Sequence, residues 1–389
     1  MARIVALLWA AVFALAVSAS AAKPDAFALW KQGAFRGANV MQYATTDDMR
    51  VLRSWGANLA EIPITNIYDP RPPYSFRPEE LDRTDRLVES AETAGLFVVL
   101  TCREGPGREN FETSLEIWRD AAAQEAYARM WQRVAAHYRG RASVVGFDLV
   151  CEPHPDEAAK EPLGDWNALA KKITKAIRSV NKETPILVNS SGWGYPHLFD
   201  ELQPTGDPRT VYVVHFYSPR HYTHQRPNHP VAYPGVVPAH VEPEQRWDRE
   251  TVKRTLLPVR KFQEKHHVPI LAGEFGCARW APNVEQFLRD QMDLYEQWGW
   301  SWAYYAFREW DAMDIEKTAD AKDKTRHADT PLLRLFKLYY ARDKAFYPPP
   351  RAKGGQPPLE RGLAPPTGVT TRAQSAVTTS AYLPATESQ

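Results

Sequence analysis

The sequence predicts an α/β chain folded as a (β/α)8 TIM barrel, on three observations. From Phe35 onward, short runs rich in β-branched and aromatic residues alternate with amphipathic helical segments, the pattern of a parallel sheet wrapped by helices. There are eight such runs, the number that closes a barrel, and a barrel can take up most of 389 residues as a single domain. No G-x-G-x-x-G or G-x-x-x-x-G-K-[ST] stretch follows any of them. That removes the usual nucleotide-binding reason for an open, doubly wound sheet, the competing arrangement.

Taken in order, Phe35–Met41 reads as the first strand, and Thr45 can cap a helix running to Trp55. Ala57–Ile64 is the second strand, followed by a Pro-rich loop and a helix from Glu79 to Ala94 that Gly95 can stop. Leu96–Thr101 is the third strand, with a helix over Gln124–Tyr138. Ser143–Val150 is the fourth strand, and Asp165 can cap a helix reaching Val180. Pro185–Asn189 is the fifth, followed by only a short helical piece. Val211–His215 is the sixth, then a long loop and a helix from about Trp247 to Lys265. Pro269–Gly273 and a helix over Val284–Trp298 make the seventh unit. Ser301–Ala306 and a helix over Leu332–Arg342 complete the eighth.

The two ends differ from this body, expected at residues 23–347. Arg3, the apolar run Ile4–Val17, too short to span a bilayer as a mature helix, and the small residues Ser18–Ala22 make residues 1–22 a secretory signal peptide, with an uncleaved membrane anchor as the alternative. The mature protein is therefore expected to be secreted or periplasmic, with no membrane attachment after cleavage. Residues 348–389 turn Pro-, Gly-, Thr-, Ser- and Ala-rich, too poor in apolar groups to order themselves, and read as a disordered tail. A net charge of +1 supplies no electrostatic attraction for nucleic acid or an anionic surface. Nothing in the sequence calls for a cofactor, a metal or an obligate protein partner.

In such a barrel the chemistry gathers at the C-terminal ends of the strands. The fourth strand ends in the stretch Val144–Pro153, where an apolar run gives way to Cys151, Glu152 and Pro153. The seventh ends in Glu274. Two glutamates that close apolar strands suit cleavage of a glycosidic bond, in which one carboxyl attacks and the other handles the proton. The plainer alternative is that they form structural ion pairs with Arg103, Arg279 or Arg308. Asn39, Tyr43, Cys151, Trp193, His215, Tyr217, Trp280, Tyr305 and Trp310 fall at or just beyond strand ends and are candidates for contacting a carbohydrate. A packing role competes for each aromatic.

Asp148–Pro153, His215-Phe216-Tyr217 and Ala272-Gly273-Glu274-Phe275-Gly276 fall in that order on the fourth, sixth and seventh strands. With the opening Arg36-Gly37-Ala38-Asn39, they resemble the cellulase-type enzymes of glycoside hydrolase family 5 from about Phe35 to Tyr347. The resemblance implies Glu152 as acid/base and Glu274 as nucleophile, with retention of configuration. It also implies that Tyr217 hydrogen-bonds the nucleophile and that His215 contacts the sugar or the carboxylates. Four positions depart from the family pattern: Cys151 stands where Asn precedes the acid/base, Glu61 where the second strand offers Arg, Cys102 for a third-strand His, and Tyr305 for an eighth-strand Trp. A thiol is a weak donor, so an ordinary glucoside is expected to be cleaved slowly or another sugar preferred, with Arg103 or Arg308 restoring a charge from another direction.

Three other expectations stay open at this level. Cys102 and Cys151 end adjacent strands and could form a disulfide if their Cα atoms approach within about 4.4–6.8 Å. His221, His224, His229 and His240 share one loop, but no metal-ligand spacing emerges. A sugar-binding protein on a decayed hydrolase barrel, or a Cys/His acyl transferase, would answer to some of the same residues.

Overall fold

The computed structural model describes residues 25–109, 116–156 and 158–342. The expected signal peptide and tail lie outside them. Eight parallel strands close into a barrel: β1 (Arg36–Val40), β2 (Leu59–Ile64), β3 (Phe97–Cys102), β4 (Val144–Asp148), β5 (Ile186–Asn189), β6 (Thr210–Phe216), β9 (Ile270–Phe275) and β10 (Ser301–Phe307). Each pairs with its neighbours in chain order, and β10 closes on β1. All eight predicted strands are present, with ends shifted by at most two residues.

The helices follow from local chemistry. Thr45 and Asp48 form a reciprocal capping box that starts α2 (Thr46–Ser54). Asp165 accepts from the Ala168 amide at 3.0 Å to start α5 (Trp166–Val180). Gly95, at φ 82°, turns the chain out of α3 (Pro78–Ala94) in a left-handed conformation that costs a glycine little. The other outer helices are α4 (Ala121–His137), α7 (Arg249–His266), α8 (Val284–Trp298) and α9 (Pro331–Tyr340). Three short elements escaped the sequence pattern: α1 (Ala26–Lys31), a turn of helix α6 (Arg220–Thr223), and a hairpin of β7 (Gly235–Val237) and β8 (Gln245–Trp247) in the loop after β6.

Two apolar layers hold the barrel. A large one lies between strands and helices and includes Met49, Leu52, Trp131, Phe147, Ile173, Phe275, Trp302 and Phe336. A smaller one joins Leu59, Phe97, Val99, Val145, Leu187, Val211, Val213 and Leu271 to Trp30 and Phe35. Trp30 of α1 is fully buried, and its Nε1 donates to the Val145 carbonyl at 2.8 Å, so the missed helix belongs to this inner layer. With apolar side chains filling this part of the barrel, the polar ends of the strands are left to face one another at the other mouth.

Candidate active site

The end of β4 is built from outside the strand. Tyr127 and Trp131 of α4 donate to the Leu149 carbonyl at 3.0 and 2.9 Å. The buried guanidinium of Arg108 donates to the Cys151 carbonyl at 2.6 Å. The chain then bends at Glu152, which has φ 53°, a left-handed conformation costing a residue with a Cβ roughly 1–2 kcal/mol. Glu152 Oε1 lies 2.9 Å from Nδ1 of His215 on β6. His215 is in turn fixed from behind: Gly194, at φ 73°, approaches so closely that a Cβ there would stand 3.1 Å from the imidazole.

Glu274 is the last residue but one of β9, in direct register with His215. The Tyr217 hydroxyl donates to its Oε2 at 2.8 Å, and Arg103 Nη2 lies 3.6 Å from its Oε1. Burial, with Glu274 beside it, pushes the Tyr217 hydroxyl well above its usual range, so it stays a donor. Arg103 also donates to Glu309 Oε1 at 2.8 Å and to Asn39 Oδ1 at 3.2 Å, and its guanidinium stands over the Tyr305 ring at 5.6 Å. The cation beside Glu274 therefore comes from the end of β3. Arg308 is held by Asp48 and Glu316, and Arg279 is spent on Asp311 and on the carbonyls of residues 318, 320, 321 and 323.

Oxygens of Glu152 and Glu274 and a nitrogen of His215 all lie within 4.8 Å of one another. Among the described residues this is the one carboxylate–histidine trio close enough to hold a cation, and the proton chemistry of two carboxyls around an imidazole accounts for the proximity without one. Retaining glycosidases set their carboxyl groups about 5–5.5 Å apart, whereas inverting ones leave about 6.5–9.5 Å for a water. An approach of one oxygen from each carboxylate to within 4.8 Å agrees with the shorter range.

The structure sorts the other expected residues. Asn39 is fully buried, its Nδ2 donating to the Gly273 carbonyl at 2.8 Å and its Oδ1 accepting from Arg103, so it braces the site from within. Tyr217, Tyr305 and Trp310 pack together beside the carboxylates. Trp193 is 40 % exposed and stacks on His154 at 3.6 Å and 11°, while the His154 ring contacts the Glu152 carbonyl. That links a flat aromatic face to the backbone of Glu152. Tyr43 is exposed, and Trp280 is anchored to the Gln225 carbonyl at 2.8 Å. Neither is brought to the carboxylates.

The cysteines correct two expectations. All three are free thiols. The Cys151 amide donates to the Cys102 carbonyl at 3.1 Å, so the backbones meet, but the sulfurs diverge: Cys102 Sγ faces the Glu104 carbonyl and Cys151 Sγ faces Glu274 Oε1 at 3.7 Å. Burial, reinforced by Glu274 and Glu152, holds the Cys151 thiol well above its usual range, and burial pushes Cys102 up to about 12. A protonated thiol facing a carboxylate is no nucleophile, which removes the acyl-transferase reading. The loop histidines do not converge either: His221 and His240 stand 5.8 Å apart, His224 packs edge-on against Tyr217, and His229 is exposed.

Sequence reasoning missed the bracing groups Arg108, Tyr127 and Trp131, and left Glu309 and His154 unnamed. Arg108, Glu309 and His154 follow strand ends, which was the only hint of them, and Tyr127 and Trp131, mid-helix in α4, gave none.

A family model described as Cellulase (glycosyl hydrolase family 5) matches residues 25–310. Endoglucanase C of Acetivibrio thermocellus is 24 % identical over 269 residues, covering 62 % of this chain and 76 % of its own length. An endoglucanase of Paenibacillus polymyxa is 27 % identical over 269 residues, covering 59 % and 60 %. Among solved structures, Thermotoga maritima Cel5A in complex with cellobiose superposes with a TM-score of 0.64 at 20 % identity, covering 80 % of this chain and 99 % of its own, a likeness of fold.

Proposed function

The chain belongs to glycosyl hydrolase family 5 and is a cellulase-type glycoside hydrolase; from that premise we propose that it cleaves a β-linked polysaccharide or oligosaccharide by double displacement, with Glu274 as nucleophile and Glu152 as acid/base. The observation that carries this reading is the pair of glutamates with oxygens within 4.8 Å of one another, each oriented by its own partners. Glu274 attacks the anomeric carbon while Glu152 gives its proton to the departing glycosidic oxygen, leaving a covalent glycosyl-enzyme. Glu152, now a carboxylate, takes a proton from water as that water attacks the same carbon and Glu274 departs. Tyr217 and Arg103 hold the two oxygens of Glu274 in orientation throughout. The relatives' endoglucanase names make a β-glucan the first substrate to try.

Two inversions at one carbon return the β configuration. Proton NMR of a cello-oligosaccharide digest, read before mutarotation, is expected to show the β anomer first; an initial α product would overturn the double displacement.

Both glutamates are in place and Arg103 supplies a cation beside one of them, which favours turnover over sugar binding alone. Cys151 marks where the substrate preference departs. Its thiol lies beside Glu274 Oε1, where the sugar's 2-hydroxyl would meet the nucleophile. Cys151→Asn, placing an amide donor there, is expected to raise kcat/KM on a glucoside about tenfold, the worth of roughly one hydrogen bond. A fall instead would show that the thiol fits a sugar with a different substituent at that carbon.

We also propose that the enzyme is exported by residues 1–22, the short apolar leader. Among the described residues no helix is long and apolar enough to cross a membrane.

A further inference from the structure

Glu61 sits mid-strand in β2 with its side chain inside the barrel, 2 % exposed, and the proposed reaction makes no use of it. A buried carboxyl is costly unless it is paired, yet Glu61 Oε2 has no hydrogen-bond partner among the described residues. A second such atom faces the same interior. His215 Nε2 is also buried without a partner there, while Nδ1 of the same ring meets Glu152. The inner nitrogen points into the layer of Glu61. A Cβ on Gly273 would lie 3.3 Å from Nε2, the Gly273 carbonyl accepts from Asn39, and Asn39 is the register partner of Glu61 on β1. The imidazole thus spans from that layer up to the catalytic pair.

The charges around it come from several strands. Asp148 of β4 is held by the Thr101 hydroxyl and the Asn189 amide, both at 2.8 Å. Glu274 comes from β9, and Arg103, with Glu309 on it, from the end of β3. Burial, then Asp148 and Glu274, hold the proton of Glu61 well above the ordinary carboxyl range, against His215 and Arg103. Burial pushes His215 down, but Glu274, Glu152 and Glu61 outweigh it and bring the imidazole to about 9.

We propose that Glu61 is a positioning residue whose carboxyl, at the inner edge of His215, determines how firmly the His215–Glu152 pair keeps its proton. The catalytic part of this rests on Glu152 as acid/base. The bond between Nδ1 and Oε1 holds one proton. On Oε1 it makes Glu152 an acid beside a neutral ring; on Nδ1 it leaves a carboxylate beside an imidazolium, and nothing is lost to solvent in either arrangement. As the pH rises, Glu61 releases its own proton to solvent, and its negative charge then opposes loss of the pair's proton from the far side of the ring. A glutamine cannot form that charge, so the pair should surrender its proton at lower pH.

The test follows His215 by NMR in the full chain labelled with 15N-histidine, the resonance being assigned by its loss in His215→Gln. The imidazolium is expected to persist to about pH 9 in the natural protein. In Glu61→Gln it should be lost at least about one pH unit lower, a tenfold loss of proton affinity. Glu61→Asp should recover much of the difference. The alkaline limb of kcat/KM on an aryl glucoside should move with it. A His215 titration that is unmoved, or moved upward, in the folded Gln variant overturns the proposal, and if that variant does not fold, Glu61→Ala, which also lacks the charge, decides by the same criterion. The NMR titration needs no substrate, so a chain that fails to hydrolyse glycosides sinks the acid/base reading separately from the Glu61–His215 coupling.

Discussion

Glu274→Gln is expected to lower kcat and kcat/KM on an activated aryl β-glucoside by about four orders of magnitude or more, a loss of roughly 5.5 kcal/mol of transition-state stabilisation. The amide keeps the shape of the side chain and can still accept the Tyr217 hydroxyl that now reaches Oε2 at 2.8 Å. What it cannot do is form the glycosyl ester, and without that ester there is no double displacement. A 2-deoxy-2-fluoro glucoside should label the natural protein at Glu274, seen as a mass increment on the peptide carrying it, and leave the Gln variant unlabelled. Retention of more than about one per cent of the natural rate, a loss of under ~3 kcal/mol, would sink Glu274 as nucleophile.

The barrel could be read from the sequence because its signals are local. Thr45, Asp165 and Gly95 announce helix ends within a few residues of themselves, and the segment Val284–Trp298 was placed to the residue. The two glutamates proposed as catalytic were legible for a related reason: a charged residue closing an apolar strand stands out against its own neighbours. The missed elements lack such contrast. Helix α1 is only six residues long, and β7 and β8 are three each, below the length at which periodicity speaks.

Partnerships across the barrel were illegible for a different reason. Whether Arg103, Arg279 or Arg308 would serve Glu274 depends on which strand end each occupies after closure. The answer lies in contacts 171 residues apart for Arg103 against Glu274, as their numbering shows. The disulfide expectation failed on the same scale. Adjacent strand ends bring Cys102 and Cys151 within backbone hydrogen-bonding distance, but each side chain takes its own direction: the Cys102 sulfur, at the end of β3, faces the Glu104 carbonyl, and the Cys151 sulfur, past the end of β4, faces Glu274. Glu61 is the clearest case. In sequence it was a missing arginine; in the barrel it is a buried acid, with the arginine one strand away.

Glu152→Ala should split substrates by leaving group, which distinguishes the acid from the nucleophile. On an unactivated cello-oligosaccharide the departing alkoxide needs a proton, and its loss should cost about 10²–10⁴-fold, the usual range for general acid catalysis. On a dinitrophenyl glucoside the phenolate leaves unaided, so glycosylation should survive, while hydrolysis of the ester slows for want of a base and the covalent intermediate accumulates. Azide, small enough for the space an alanine leaves, needs no base and should restore turnover, giving the β-glycosyl azide. The same anion added to Glu274→Ala should give the α-azide, because it then attacks the anomeric carbon directly from the opposite face. The neighbours sharpen the expectation. Removing Glu152 takes away the oxygen 2.9 Å from His215 Nδ1 and leaves Glu274 Oε2 at 3.8 Å as the next carboxylate, so the ring's proton is offered to the nucleophile instead. Formation of the glycosyl-enzyme in this variant should therefore quicken as the pH rises and that proton leaves His215. Equal losses on both leaving groups would mean that Glu152 does not protonate the leaving oxygen, whatever its distance from Glu274.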